Sequence, residues 1–349
     1  MSDFKHNSEE NYIEIIQRLV KCVVVLILII IALVVLNIYD ITSPRKPKPV
    51  PKEKVEKDET ASESKKIADV WIAPDSSEIS KEKNADQISY GRELIANTAH
   101  YLGPKGNVLQ MSNGMNCQNC HLKAGTVPFG NNYSAVASTY PKFRERSGGM
   151  ENIYKRVNDC FERSLNGKSL DTTGKEMQAI VAYIKWLGKD VPKGEKPKGA
   201  GLTELAFMDN AADPEKGKIV YVEKCITCHM ANGEGKLNGS TYQYPPLWGP
   251  NSYNKGAGLY RLSRFAGYVK SNMPQNVTYD APQLSDEEAW NVAAFVNSQA
   301  RPEKDLSKDW PKIASKPVDH PFGPYADKFT EQQHKYGPFG PIAEAKKKK

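Results

Sequence analysis

Cysteine is scarce in this chain, six in 349 residues, and four of the six fall in two short repeats. That leaves too few for a disulfide framework, since Cys22 lies in an apolar run and Cys160 stands alone. Long hydrophobic runs are scarce too: Cys22–Tyr39 is the one that stands out. Twenty-three prolines, 26% charged residues and a mean hydropathy of −0.58 mean that a good part of the chain is not core. No nucleic-acid-binding motif appears. The net charge of +7 therefore suits anionic small molecules, acidic redox partners or anionic lipid headgroups. A cleaved signal peptide would want a small-x-small site after its apolar stretch, and Asn37-Ile38-Tyr39-Asp40-Ile41 offers none.

What is present divides the chain into blocks. Cys22–Tyr39 is almost uninterrupted Val, Ile and Leu. As a helix it reaches about 27 Å, close to the hydrocarbon thickness of a bilayer. An uncleaved transmembrane anchor is expected over 19–39, with residues 1–18 cytoplasmic. Flanking charge does not orient it: Arg18 and Lys21 precede the run, but Arg45, Lys46, Lys48 and Lys52 follow. Residues 40–85 are rich in Pro, Lys, Glu and Ser and read as a solvated, partly extended linker.

A first globular unit is expected over 86–195. It opens with the helical periodicity of Tyr90, Leu94, Ile95 and Tyr101 and closes with that of Met177, Ile180, Val181, Ile184 and Leu187. A Lys/Gly/Pro-rich joint and linker, through 196–212, leads to a second unit over 213–302. Asp213-Pro214 signals its first helix, and Ser285-Asp286-Glu287-Glu288 is a capping box opening its last. Residues 303–349 hold Pro-Phe-Gly-Pro twice, at 321–324 and 338–341, and end in Lys346–Lys349. They read as an ordered strap with a frayed basic end.

The two repeats are Cys117-Gln118-Asn119-Cys120-His121 and Cys225-Ile226-Thr227-Cys228-His229, each a Cys-x-x-Cys-His attachment site for c-type haem. The cysteines of such a pentad form thioethers with the haem vinyl groups, and the histidine is placed to ligate the iron. A zinc knuckle or a disulfide is the competing reading of either pair. Helix, pentad, long loops and closing helix occur twice. The expected fold is mainly α, two cytochrome c-type domains in tandem carrying two covalently attached haem c groups. Haem attachment also orients the chain, with its bulk in the periplasm or otherwise outside the cytoplasm, tethered to the cell (inner) membrane.

The residue facing each histidine sets the chemistry, because methionine favours the ferrous state while thiolate lowers the potential. Met273, 44 residues after His229 and stiffened by Pro274, is the expected sixth ligand in the second domain. Met230 is too close to His229, and Met208 precedes the domain. In the first domain no methionine occupies the corresponding place, although Met150 and Met177 are nearby. Cys160 does, 39 residues after His121, ringed in sequence by Arg144, Arg146, Lys155, Arg156, Arg163 and Lys168. Cationic neighbours favour a thiolate, which is both nucleophile and metal ligand. A small buried hydrophobe is the alternative role for a lone cysteine.

Asp159-Cys160-Phe161-Glu162-Arg163-Ser164-Leu165-Asn166-Gly167 resembles the axial-cysteine motif of the dihaem thiosulfate dehydrogenases. Asn116–Leu122, Tyr244–Pro250, Ser252–Gly258 and Gln333–Phe339 agree, so the resemblance covers about Asp86 to Ile342. It implies an enzyme that couples two thiosulfates into tetrathionate and passes on two electrons; some relatives run in reverse as tetrathionate reductases. Implied metal ligands are His121 and Cys160, His229 and Met273. Some relatives carry a lysine before the ligand methionine, able to replace it on reduction. Asn272 stands there in this chain, so His229/Met273 ligation is expected to persist.

Two thiosulfate dianions repel, and a cationic pocket offsets that repulsion. Arg146 and Arg163 are the expected sulfonate contacts, with Ser164 as a hydroxyl donor and Arg144 or Lys168 beyond them. Cys160 is expected to form a transient S-thiosulfonate that a second thiosulfate resolves. Electrons would leave to a small electron-transfer cytochrome or a membrane oxidase, or enter from a quinol-linked donor. The alternative is a membrane-tethered dihaem electron carrier without a substrate, in which Met150 or Met177 ligates the first iron.

Overall fold

The computed structural model describes residues 17–31 and 70–348. Residues 17–31 form a helix by themselves, with every side chain exposed. The rest of the expected 19–39 span, and residues 40–69 of the expected linker, lie outside the described residues. Among the described residues no helix is long and apolar enough to cross a membrane.

From Val70 on, the molecule is mainly helical, and each half is organised by a pair of crossing helices. In the first half, α1 (Ala85–Ala96) crosses α3 (Lys175–Leu187). Ile88, Leu94 and Ile95 bury one face of α1, while Met177, Ile180 and Ile184 answer from α3. Gly91 makes the crossing possible: a β-carbon there would lie 2.0 Å from the Ala179 carbonyl oxygen. In the second half, α4 (Pro214–Lys224) crosses α6 (Asp286–Ser298) by the same device. A β-carbon on Gly217 would meet the Asn291 carbonyl oxygen at 1.9 Å. Only a residue without a side chain lets two helix backbones approach so closely.

Local signals start these helices. The Asp213 carboxylate accepts from the Glu215 and Lys216 amides with Pro214 following, and Ser285 and Glu288 form a reciprocal capping box. Between the crossing helices lie α2 (Ile153–Arg163) in the first half and α5 (Leu262–Asn272) in the second. The Asn152 side chain caps α2 by accepting from the Lys155 amide at 2.9 Å. Two antiparallel hairpins complete the fold, β1 (Lys142–Arg144) with β2 (Gly149–Glu151), and β3 (Lys236–Asn238) with β4 (Thr241–Tyr244).

The halves share side chains. Tyr253, Ala257 and Tyr260 follow the second pentad in sequence but pack in the first hydrophobic core. Leu122 packs against the second. Tyr268 donates from its hydroxyl to the Asn119 carbonyl at 3.0 Å, and Asn272 donates to the Phe129 carbonyl at 3.1 Å.

The C-terminal segment returns over both halves. The Trp310 amide donates to the Arg146 carbonyl at 2.7 Å, and buried Asp319 takes Arg261 and Ser263. Tyr336 of α7 (Glu331–Tyr336), Ile342 of α8 (Gly340–Lys347) and Phe339 at the N-cap of α8 enter the second core. The basic end expected to fray is helical to Lys347, because Phe339 and Ile342 dock α8 and Lys346 donates to the Lys316 carbonyl at 2.5 Å.

Candidate functional site

The first pentad is held by the end of α1 and the turn after it. The Cys117 amide donates to the Thr98 hydroxyl at 2.9 Å, and the Asn116 carboxamide oxygen accepts from the Ala99 amide at 2.8 Å. Asn116 and Asn119 also cap the tight turn Cys117–Asn119 reciprocally. His121 projects from this turn with Tyr133 stacked on its ring, 4.5 Å between centres. Its Nδ1 donates to the Asn131 carbonyl at 2.5 Å. In the second half, His229 Nδ1 donates to the Pro245 carbonyl at 2.9 Å. Both hydrogen bonds fix the tautomer and leave Nε2 as the free ligand atom. Burial pushes His121 down to about 4 and His229 in the same direction, so both imidazoles are neutral.

Each histidine looks into an apolar cavity. The first, about 120 Å³, is walled by Cys117, Cys120 and His121 on one side and by Val157, Cys160 and Phe161 of α2 on another. The second, about 220 Å³, brings together Cys225, Cys228, His229 and Met273, with Tyr268, Val292 and Val296 among its walls. Met273 stands at the C-terminus of α5, its amide bonded to the Val269 carbonyl at 2.9 Å. Met115 and Cys120 line both cavities, which therefore share a wall. Paired thioether-forming cysteines, neutral histidines with oriented rings, and apolar slots each closed by a sulfur donor fit a c-type haem in both places. Among the described residues no group of three or more His, Cys, Asp or Glu side chains is placed to hold a metal ion.

The two methionines that compete with Cys160 as ligands, Met150 and Met177, take no part in this cavity. Met150 is 66% exposed on β2, and Met177 is sealed in the core between α1 and α3. Neither lines the slot that His121 shares with Cys160.

A larger, open cavity of about 580 Å³ meets the first slot at Cys120, His121 and Cys160. Seven cationic side chains line it: Lys142, Arg144, Arg146, Arg156, Arg163, Arg261 and Arg264. Ser164 is also in its wall, but exposed Lys168 is not. The seven are not equally available. Arg163 gives both terminal nitrogens to Asp309, at 2.7 and 2.8 Å. Arg261 is held by Asp319 at 2.6 and 2.8 Å. Arg146 reaches Asp159 at 3.3 Å, and Lys155 meets the same carboxylate at 2.5 Å. Burial works to raise Asp159, but Lys155, Arg146 and Arg163 outweigh it and hold the carboxyl below its ordinary value.

Arg156 makes no close ion pair among the described residues, and its guanidinium is held above its ordinary value foremost by the Cys160 sulfur, with Tyr140, Asp159 and Glu151 adding from further off. Arg144 and Arg264 meet carboxylates only at 3.9 and 3.8 Å. Burial and the nearby Arg163 and Arg156 guanidiniums push Arg146 below its ordinary value. Cations crowded this closely repel one another, and an anion entering the cavity relieves that repulsion.

The sequence names Arg146, Arg163 and Ser164, and all three line the cavity beside Cys160. Arg156 is only one of the basic flank there, although its i, i+4 spacing from Cys160 on α2 places both on one helix face. Arg261 and Arg264 come from α5 and the turn before it, more than a hundred residues further along, and no local signal connects them to Cys160.

Comparisons with known proteins cover both halves. Residues 107–192 match the family model described as SoxA/TsdA, cytochrome c domain, and residues 214–300 match that of cytochrome c. The chain is 37% identical over 242 residues to the thiosulfate dehydrogenase of Psychrobacter arcticus, covering 68% of this chain and 71% of that one. It is 36% identical over 234 residues to that of Thiomonas intermedia, covering 67% and 72%. Among solved structures it resembles thiosulfate dehydrogenase (TsdBA) from Marichromatium purpuratum in its as-isolated form, with a TM-score of 0.63 and 29% identity. That match covers 72% of this chain and 52% of the solved one, so the chain spans about half of its length.

Proposed function

The chain belongs to the thiosulfate dehydrogenase family, and we propose that it joins two thiosulfates into tetrathionate at the seam between the basic cavity and the slot of the first haem. It is an oxidoreductase acting on sulfur compounds, with two covalently attached haem c groups. The observation that carries the reading of the site is the position of Cys160: its sulfur is common to the apolar slot it shares with His121 and to the cavity lined by seven cations. An electron carrier has no need of an open anion-attracting cavity around the residue facing its haem.

His121 and Cys160 would hold the first haem, and His229 and Met273 the second. Bound there, the haems supply the electron sink, accepting singly the two electrons that sulfur–sulfur bond formation releases. The remaining chemistry belongs to the side chains. Arg156, Arg146, Arg144 and Arg264 attract the dianion, and guanidinium forks orient its sulfonate so that the outer sulfur faces Cys160. The Cys160 thiolate and that sulfur form one bond with loss of two electrons, giving a cysteine S-thiosulfonate. A second thiosulfate attacks the outer sulfur of this group, breaks its bond to Cys160 and leaves as tetrathionate, restoring the thiolate. Atoms and charge balance over the two steps, and no proton is consumed.

The shared wall at Met115 and Cys120 supports electron relay between the haems. Asn272 supports constant ligation of the second: its carboxamide is committed to the Phe129 and Tyr268 carbonyls, at 3.1 and 2.9 Å. The apolar run over 19–39 supports a membrane anchor that holds the globular part at the outer face of the cell membrane, near a small cytochrome, an oxidase or a quinol-linked donor. The test is stoichiometric. With thiosulfate and an artificial one-electron acceptor, two thiosulfates should disappear for each tetrathionate formed and each two acceptors reduced. Tetrathionate with an artificial donor assays the reverse reaction. Absence of turnover in both directions would overturn the reading.

A further inference from the structure

Arg301 follows α6 and is 7% exposed. Its guanidinium is packed against two aromatic rings, 4.3 Å from the centre of Tyr253 and 4.8 Å from that of Tyr260. Nη2 donates to the Val296 carbonyl at 2.7 Å. Nε and Nη1 are buried and have no hydrogen-bond partner among the described residues. Buried Arg163 and part-buried Arg261 each have a carboxylate gripped by two nitrogens; Arg301 has none among the described residues.

Guanidinium cannot shed its charge at accessible pH, and a buried charge without a counter-ion is costly. Stacking on Tyr253 and Tyr260 offsets part of that cost but leaves two N–H vectors unanswered. The neighbours indicate where the missing acceptor belongs. Tyr253 and Val296, both in contact with Arg301, are walls of the cavity containing His229 and Met273. The group that fits this cavity brings carboxylates of its own, the two haem propionates.

We propose that Arg301 is the propionate anchor of the second haem, its free Nε and Nη1 donating to a propionate carboxylate while Tyr253 and Tyr260 hold the guanidinium plane. A paired cation there raises the potential of that haem, because positive charge disfavours the ferric state more than the ferrous. This role is independent of the substrate handled at the first haem.

The test uses the full-length holoprotein with Arg301→Met, which keeps the apolar stem, and Arg301→Lys, which keeps the charge but loses the fork. Haem content is measured first. Resonance Raman of the propionate bending band and a spectroelectrochemical titration then follow. Arg301→Met should shift the band and lower the midpoint of the methionine-ligated haem, leaving the other midpoint in place. Arg301→Lys should shift the band while the midpoint falls less. If Arg301→Met does not accumulate as a dihaem protein, the band in Arg301→Lys decides. An unchanged band in a fully loaded variant, or a shift confined to the first haem, overturns the assignment.

Discussion

Arg163 on α2 and Asp309 in the C-terminal segment meet through two hydrogen bonds, at 2.7 and 2.8 Å, with both side chains nearly buried. The contact draws the C-terminal segment against the helix that carries Cys160, and it occupies the fork of one of the arginines that line the basic cavity.

Removing Asp309 should therefore be read first in stability. Asp309→Ala leaves Arg163 buried without its principal partner, a change that costs about 3 kcal/mol where a buried pair is broken on one side. The thermal midpoint of the holoprotein should fall clearly below that of the wild type. An unchanged midpoint would show that Asp159, 3.9 Å from Arg163 Nε, suffices as its counter-charge.

Arg156 should matter to turnover more than to folding. It faces Cys160, and among the described residues no carboxylate pairs with it at ion-pair distance, although Asp159 and Glu151 act on it from further off, so its fork is available to a sulfonate. A hydrogen bond to a charged group contributes about 1.5–3 kcal/mol, so Arg156→Met should lower kcat/KM by about 10- to 100-fold. Arg156→Lys should recover part of that loss. Equal kcat/KM in wild type and Arg156→Met would remove this residue from substrate binding.

How much of this was legible in the sequence depends on the distance over which each signal acts. The pentads are local, because thioether and histidine ligation demand fixed spacing, and they mark His121 and His229 directly. Met273 follows from its position before the closing helix. Cys160 stood out because no methionine competed for its place and its flank is basic. Its arginines were only half legible: the sequence shows Arg146 and Arg163 but not the partners Asp159 and Asp309. Asp309 lies 146 residues from Arg163, and composition cannot pair residues so far apart. The glycines at the helix crossings, Gly91 and Gly217, were invisible for the same reason, since what requires them is the backbone of another helix.

Acid should weaken the C-terminal clasp at Asp319. Burial works to raise this carboxyl, but Arg261 and Ser263 outweigh it and hold it below its ordinary value. A carboxyl with a depressed folded-state pKa contributes stability above the unfolded value of about 3.9, and the contribution is lost as pH falls through the folded value. Between those limits the unfolded chain binds more protons, so stability rises with pH. Asp319→Asn should lower the thermal midpoint at pH 6 and narrow the difference between wild type and variant as pH drops below about 4. A constant difference across that range would dismiss the linkage.

Asn272 joins the two halves. Replacing it with leucine should leave the Phe129 carbonyl without its donor across the interface, costing about 1–2 kcal/mol. If His229 and Met273 hold the second haem as proposed, that haem should keep its absorption spectrum in both oxidation states, because the substitution introduces no competing ligand. A reduced spectrum that loses methionine ligation would show that Asn272 also positions Met273.

Replacement of Cys160 tests most directly whether bond making occurs on its sulfur. Cys160→Gly and Cys160→Ala should retain both covalent haems by haem assay and the reduction spectrum of the second, while the thiosulfate-dependent rate falls to background in both directions. The low-temperature EPR signature of the first haem should lose its thiolate character at the same time. Near-normal turnover by either variant with both haems in place would contradict the account.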